Sequence, residues 1–187
     1  MHIIIYEIEA NEGIKMDMTN TQKKIVPYNR EKAIEYAHRW AFKRNPRYYD
    51  FSNLGGDCAN FASQVIYAGS NVMNYDKHTG WYYININNRS PSWTAVNFLY
   101  KFLINNSTKG PFAEETDVKD MQPGDIVQLS FNLPNHFDHC PIIVKTGTVP
   151  DINNIEIAAH SIDRDYYPLK NYEWKYIRFI HIKGVYM

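Results

Sequence analysis

The sequence predicts an α+β domain, in which helices come first along the chain and antiparallel strands come later. Three segments in the first part repeat apolar residues at helical spacing, whereas four segments in the last part read as short strands. The pattern changes character at Lys109-Gly110-Pro111. With 187 residues, the chain is long enough to bury the core of one domain.

The first predicted helix spans 30–43, with Asn29 as its N-cap and Asn45-Pro46 as its end, because proline cannot continue a helix. Its apolar residues recur three and four positions apart, namely Ala33, Tyr36, Ala37, Trp40 and Ala41. This spacing indicates an amphipathic helix that buries one face.

Two more helices are predicted in the first half of the chain. One runs over 58–68, with Asp57 at the N-cap position and Gly69 as the expected stop. After a long loop over 70–90, another starts near Ser92. Its apolar residues are Trp93, Val96, Phe98, Leu99, Phe102 and Leu103. We expect these helices to pack on the later sheet.

The strands follow a turn at Pro123-Gly124-Asp125. They are predicted at 126–129, 139–146, 155–161 and 176–185. The Asp151–Asn154 turn joins the second and third strands, and the expected sheet is antiparallel.

The bulk composition excludes several classes of partner. The formal net charge is zero and the isoelectric point is near 7.1, so no nucleic-acid surface or polybasic membrane patch is expected. No segment approaches the roughly 20 apolar residues of a membrane span. The oligomeric state stays open.

Residues 1–27 are expected to form an N-terminal arm ahead of a domain over 28–187. The apolar run Ile3-Ile4-Ile5-Tyr6 is too short for the core of a signal peptide. The chain as written is therefore expected in the cytoplasm. An exported or wall-associated protein remains open if the chain is a fragment.

The chain has two cysteines, Cys58 and Cys140, which cannot form a disulfide framework. No paired CxxC spacing indicates a metal, and neither a metal nor an organic cofactor is expected. A single bridge between the two cysteines stays open.

Cys58 stands where a reactive thiol is chemically useful. It lies in the first turn of a predicted helix, whose N-terminus favours negative charge and should lower the thiol pKa. Gly55-Gly56 lets the backbone approach a substrate, and backbone N–H groups at the helix end can hold an oxyanion. The alternative is a small buried core residue, the usual state of free cysteine.

A cysteine nucleophile needs a base, normally histidine. His139 opens one predicted strand and His160 closes the next, so a hairpin would make them neighbours. This arrangement suits a base and its orienting partner as well as it suits two structural histidines. His136 is a competing base, and Asp163 is either an assisting group or a solvated loop acid.

An aromatic loop before the third helix could line a substrate groove, since exposed aromatic residues often line pockets. The candidates are Trp81, Tyr82, Tyr83 and Trp93. The alternative is that these side chains pack in the core.

From about Tyr28 to the C-terminus, the chain resembles the family of putative amidase domains in the papain-like superfamily, which includes NlpC-type cell-wall peptidases and CHAP amidases. The motifs that carry the resemblance are GGDCANFASQVIYAG, GWYY, SPSWTAVNFLY, PGDIVQLS, FDHCPIIV and AAHSIDRDYYPL. It implies a papain-like fold, with N-terminal helices packed on a C-terminal antiparallel sheet.

The resemblance also implies Cys58 as nucleophile, His139 as general base and His160 as the residue that orients it. Two departures from the pattern are Cys140, where a small polar residue is expected, and a long hairpin that keeps Asp163 as an alternative orienting group. The family pattern includes Asn60 and Gln64, which with Asp57 are expected to support the site.

The main functional hypothesis is a cysteine amidase or peptidase that forms an acyl-enzyme. A peptide or peptidoglycan-like amide of the bacterial cell wall is the substrate class that the family analogy implies. Two alternatives are a non-catalytic module that binds a glycan or peptide, and an acyltransferase that uses the same Cys–His pair.

Overall fold

The computed structural model describes residues 23–187, which form an α+β fold with a curled antiparallel sheet and few helices. Residues 1–22 of the expected N-terminal arm lie outside the described residues. Within the expected arm, β1 (Ile25–Val26) pairs with the last strand of the chain.

The first predicted helix is confirmed as α1, Arg30–Trp40. Asn29 caps it as expected, because its side-chain oxygen accepts a hydrogen bond from the backbone N–H of Lys32 at 2.9 Å. Ala33 and Ala37 form the buried side of the helix.

The second predicted helix is confirmed as α2, Cys58–Ser70, but Gly69 does not end it. The helix ends at Ser70, and its C-cap Asn71 adopts the left-handed conformation with φ of 53°. Gly69 serves close packing instead, since a Cβ there would lie 2.3 Å from the ring of Tyr28. The chain entering α1 therefore lies directly against the end of α2.

The predicted third helix is divided in two, α3 (Pro91–Thr94) and α4 (Val96–Asn105), because Ala95 adopts an extended conformation. The loop predicted over 70–90 contains a small hairpin of β2 (Tyr83–Asn85) and β3 (Asn88–Arg89).

The main sheet has seven strands within the described part of the chain. Besides β1, its strands are β4 (Gly110–Thr116), β5 (Ile126–Ser130), β6 (Ile142–Lys145), β7 (Glu156–Ala159), β8 (Arg164–Pro168) and β9 (Tyr176–Tyr186). The order is β1-β9-β5-β6-β7-β8, and β4 also pairs with β9. The four predicted strands are confirmed as β5, β6, β7 and β9, while β4 and β8 were not predicted.

Successive strand residues point to opposite faces, and each face of the sheet has its own core. Ile126, Ile142 and Ala158 belong to the core shared with the helices. Leu129 and Ile143 belong to a second core, which covers the opposite face. The start of β6 and the end of β7 meet the N-terminus of α2, where the candidate site lies.

No helix within residues 23–187 has the length and apolar character needed to cross a membrane.

Candidate active site

Two glycines bring the chain into the first turn of α2, where Cys58 lies. Gly55 and Gly56 have φ values of 87° and 106°, a region that side chains strongly disfavour. A Cβ on Gly56 would lie 3.2 Å from Ser161 Oγ, and the same Oγ accepts a hydrogen bond from the N–H of Asp57. The loop before Cys58 is thereby fixed to the chain that follows β7.

The sulfur of Cys58 lies against the backbone at the start of β6. Its S–H donates to the carbonyl of Asp138 over 3.9 Å, and the backbone N–H groups of Cys140, Ala59 and Cys58 itself favour the thiolate. Burial is nevertheless the largest influence and raises the thiol pKa to about 11. The N–H groups at the helix end lower this pKa as expected, but desolvation outweighs them and the net pKa is raised.

His139 lies on the face of the sheet opposite α2. It forms an isolated bridge with Leu129, a residue of the second core, and its ring centroid lies 5.3 Å from that of Tyr172. His139 Nε2 is 3.1 Å from the Tyr172 hydroxyl oxygen. Burial lowers the pKa of His139 to about 4, so the imidazole is neutral at physiological pH.

No hydrogen bond joins Cys58 Sγ to a ring nitrogen of His139 among the described residues. The two residues meet instead through the backbone, since Asp138 and Cys140 on either side of His139 both contact the sulfur. Nδ1 of His139 makes no hydrogen bond within residues 23–187 and is not among their fully buried unpaired atoms. Nδ1 is therefore the ring nitrogen left available to a thiol or a substrate.

His160 does not occupy the orienting position that was expected for it. Its Nδ1 lies 2.6 Å from Asp57 Oδ2 and its Nε2 lies 2.8 Å from the carbonyl of Trp40, so neither nitrogen is free for His139. The ring stacks on Phe61 of α2 at 3.9 Å. His160 therefore lies on the helix side of the sheet, whereas His139 lies on the other side.

The carboxylate of Asp57 does not cap α2, although Asp57 occupies the N-cap position. Oδ1 accepts from the N–H of Phe51 and from Asn60 Nδ2, while Oδ2 faces His160 and lies 3.5 Å from Arg44 Nε. Asp57 is completely buried. It therefore holds the preceding loop, the helix and the end of β7 together.

The other expected supporting residues have structural contacts. Gln64 accepts a hydrogen bond from the Tyr36 hydroxyl at 2.7 Å, which links α2 to α1. Asp163 forms a two-point ion pair with Arg44, with N–O distances of 2.9 and 3.0 Å. Asp163 is thereby engaged away from His139, and these contacts do not support its alternative role as the orienting group.

The aromatic residues proposed for a substrate groove are mostly core residues. Trp81 and Trp93 have 0% of their surface exposed, so the groove prediction is wrong for both. The indole N–H of Trp93 donates to Asn60 and that of Trp81 donates to Ser63, which ties both rings to α2. Tyr82 is partly buried and packs against the same core.

Neither cysteine forms a disulfide. The competing base His136 is exposed and lies 3.1 Å from Asp138, on the solvent side of the loop before β6. Within residues 23–187, no three His, Cys, Asp or Glu side chains are placed to hold a metal ion.

Tyr172 and Arg44 are site residues that the sequence patterns did not reveal. Tyr172 follows a short 3₁₀ turn, Leu169–Asn171, and no motif marks it. Arg44 lies just beyond α1 among other charged residues. Only the tertiary structure brings these two residues to His139 and Asp57.

The site is closed in this structure, since Cys58 is 7% exposed and His139 is 8% exposed. A cavity of about 410 Å³ lies elsewhere, between α4 and the loops around Gly80 and Ser107. Neither Cys58 nor His139 lines this cavity, so the cavity is separate from the candidate active site.

A protein-family model and a curated relative both match this chain. The family model described as a putative amidase domain matches residues 27–183. Uncharacterized protein YhbB from Bacillus subtilis (strain 168) is 30% identical over 130 residues. The match covers 67% of this chain and 40% of the relative, so the chain spans well under half of that protein. No solved structure gives a significant match.

Proposed function

The chain belongs to the family of putative amidase domains, and we propose that it is a cysteine amidase that cleaves an amide through an acyl-enzyme on Cys58. The surroundings of the sulfur are the observation that carries this proposal. Three backbone N–H groups, from Cys58, Ala59 and Cys140, favour negative charge at this position. Negative charge at this position is what an attacking thiolate and the oxyanion that forms beside it both require.

His139 is the base that the geometry supports best. It is neutral, its Nδ1 is free of hydrogen bonds within the described residues, and its neighbours along the chain contact the sulfur. The competing His136 is exposed and paired with Asp138, whereas both nitrogens of His160 are engaged. His139 alone among these three combines a buried position with an available nitrogen.

Both partners are neutral in the unliganded protein, with the pKa of Cys58 raised to about 11 and that of His139 lowered to about 4. A stable thiolate–imidazolium pair is therefore not expected before substrate binds. The proton moves as the sulfur attacks, once substrate has brought the sulfur and Nδ1 together. Catalytic hydrogen bonds often shorten only in the substrate complex.

The proposed reaction has two steps, acylation of Cys58 and hydrolysis of the thioester. The sulfur attacks the amide carbonyl while Nδ1 of His139 takes the thiol proton, and Nδ1 returns that proton to the departing amine. Water next attacks the thioester, with Nδ1 taking a proton from the water and returning it to the sulfur. Backbone N–H groups at the start of α2 stabilise the oxyanion in both steps.

We propose a papain-like arrangement and a bacterial cell-wall peptide as the substrate class. The support for the arrangement is the order of a cysteine at a helix start followed by a histidine shortly before a strand. The support for the substrate is the resemblance to cell-wall peptidases, together with a net charge of zero that favours neither nucleic acid nor an anionic surface.

The test compares Cys58→Ala with Cys140→Ala on purified peptidoglycan fragments, with products identified by mass spectrometry. We expect Cys58→Ala to abolish turnover, because no other group supplies the nucleophile. Cys140→Ala is the matched control, since Cys140 is the other buried cysteine and contacts Gln128 through its sulfur. Turnover that survives in Cys58→Ala would sink the cysteine mechanism.

A thiol probe tests the same site without a known substrate. At near-neutral pH we expect iodoacetamide to modify Cys58 faster than Cys140, which is completely buried. The rate at Cys58 should rise about tenfold per pH unit towards its raised pKa, because the thiolate is the reacting form. Equal and slow modification of both cysteines, unchanged in His139→Ala, would contradict the proposal.

A further inference from the structure

Tyr172 supplies the hydrogen bond that the structure gives to the ring of His139. The hydroxyl oxygen lies 3.1 Å from Nε2, and the two ring centroids are 5.3 Å apart with the planes inclined at 49°. The phenol thus contacts Nε2 of the imidazole, whereas Nδ1 is the nitrogen that stays available. A base that acts through one nitrogen needs its other nitrogen held in this way.

Tyr172 is itself firmly placed. Its backbone N–H donates to the carbonyl of Leu169, and the N–H of the fully buried Leu169 donates to the carbonyl of Ile155. The ring of Tyr167 packs edge-on against Tyr172 with centroids 5.3 Å apart. The hydroxyl therefore approaches His139 from a fixed position rather than from a mobile surface side chain.

The charge state of Tyr172 suits a neutral base. Burial raises the pKa of its phenol to about 12, with smaller effects from Arg164, which lowers it, and from Tyr167 and Cys58, which raise it. The phenol is therefore neutral at physiological pH. A neutral acceptor fixes the ring without stabilising an imidazolium as strongly as a carboxylate does.

We propose that Tyr172 is the positioning residue of the site: its hydroxyl oxygen accepts a hydrogen bond from Nε2–H of His139 and so leaves the lone pair of Nδ1 for the proton of Cys58. The inference rests on the proposed function of Cys58 and His139. It assigns to Tyr172 the orienting role that the sequence resemblance implied for His160. Through both steps the proton moves between sulfur, Nδ1, amine and water, while Nε2–H stays on Tyr172.

The primary test observes the tautomer of His139 by ¹⁵N NMR of histidine-labelled protein, with the signal assigned through His139→Gln. In the wild-type protein we expect the Nε2–H tautomer. In Tyr172→Phe, which removes only the hydroxyl, we expect a mixture of tautomers. Tyr167→Phe is the matched control, because it removes a neighbouring hydroxyl that contacts the Asn171 carbonyl instead.

The kinetic test uses the same three proteins on peptidoglycan fragments. We expect Tyr172→Phe to lower kcat by about tenfold with little change in KM, the effect of one lost hydrogen bond that holds the base. Tyr167→Phe should retain wild-type kcat. Thermal unfolding of each protein separates a loss of positioning from a loss of fold.

The outcomes separate this inference from the proposed function. A wild-type His139 in the Nδ1–H tautomer overturns the role of Tyr172 without any variant. Equal turnover in Tyr172→Phe and Tyr167→Phe, with an unchanged tautomer, also overturns it while leaving the cysteine mechanism intact. If the wild-type protein cleaves no amide yet Tyr172→Phe shifts the tautomer, the proposed function fails and the positioning contact stands.

Discussion

His139 and His160 lie at the same end of two neighbouring strands, yet their surroundings are opposite. His139 precedes β6, and its ring has one hydrogen-bond partner among the described residues, the neutral hydroxyl of Tyr172. Burial holds the ring neutral. His160 follows β7 and is bonded at both nitrogens, to the Asp57 carboxylate and the Trp40 carbonyl. Both rings are nearly inaccessible, with 8% and 1% of their surfaces exposed.

The difference shows that burial alone does not define the role of a histidine. Both ring nitrogens of His160 face acceptor oxygens, one of the Asp57 carboxylate and one of the Trp40 carbonyl. Neither nitrogen is therefore directed to a thiol or a substrate. His139 keeps one nitrogen available, which is the property that a base requires.

The largest expected effect is on catalysis. His139→Ala should lower kcat/KM on the amide substrate by about 10²–10⁴, the usual contribution of a general base, in protein that urea denaturation shows to be folded. His136→Ala is the matched control, as His136 lies three residues earlier and is exposed. Rate assays and urea denaturation provide the two measurements, and wild-type turnover in His139→Ala would reject its role as base.

The next effect is on stability and concerns the other histidine. His160→Ala should reduce the free energy of unfolding by about 3 kcal/mol, because the buried carboxylate of Asp57 loses its nearest partner, Nδ1 of His160 at 2.6 Å. His38→Ala breaks a comparable but more exposed pair, in which Nδ1 lies 2.8 Å from Asp165. It should cost about 0–1 kcal/mol in the same urea titration. Equal losses of stability in the two variants would show that burial does not strengthen the contact between His160 and Asp57.

The smallest effect is a pH dependence. Because burial lowers the pKa of His139 from 6.5 to about 4, the unfolded chain binds this proton more readily than the folded protein does. The stability due to neutral His139 is therefore present above pH 6.5 and is lost as the pH falls towards 4. We expect a loss of about 2 kcal/mol by pH 5.

The measurement is urea denaturation between pH 7 and 5, with His139→Gln as the comparison. The variant lacks the titrating ring, so its stability should fall less steeply than that of the wild-type protein over this range. Parallel curves would show that His139 is not held neutral by the fold. They would also remove the contrast between the two histidines.

Much of the local structure follows from sequence pattern. The apolar spacing in α1, α2 and α4 and the short apolar runs of β5, β6 and β7 predicted these elements correctly, with different bounds. Two failures have a common reason. Gly69 continues a helix, and Trp81 and Trp93 fill the core, because close packing between distant segments decides the use of a glycine or a large ring.

The sequence by itself determined the α+β order, the position of Cys58 at a helix start and the presence of histidines at two strand ends. Only the tertiary structure decided how those groups are used. Ile142 pairs with Ala158, so in this register His139 and His160 are one residue out of step and lie on opposite sides of the sheet. Desolvation then set the pKa values of Cys58 and His139, and long-range contacts brought Tyr172 to one ring and Asp57 to the other.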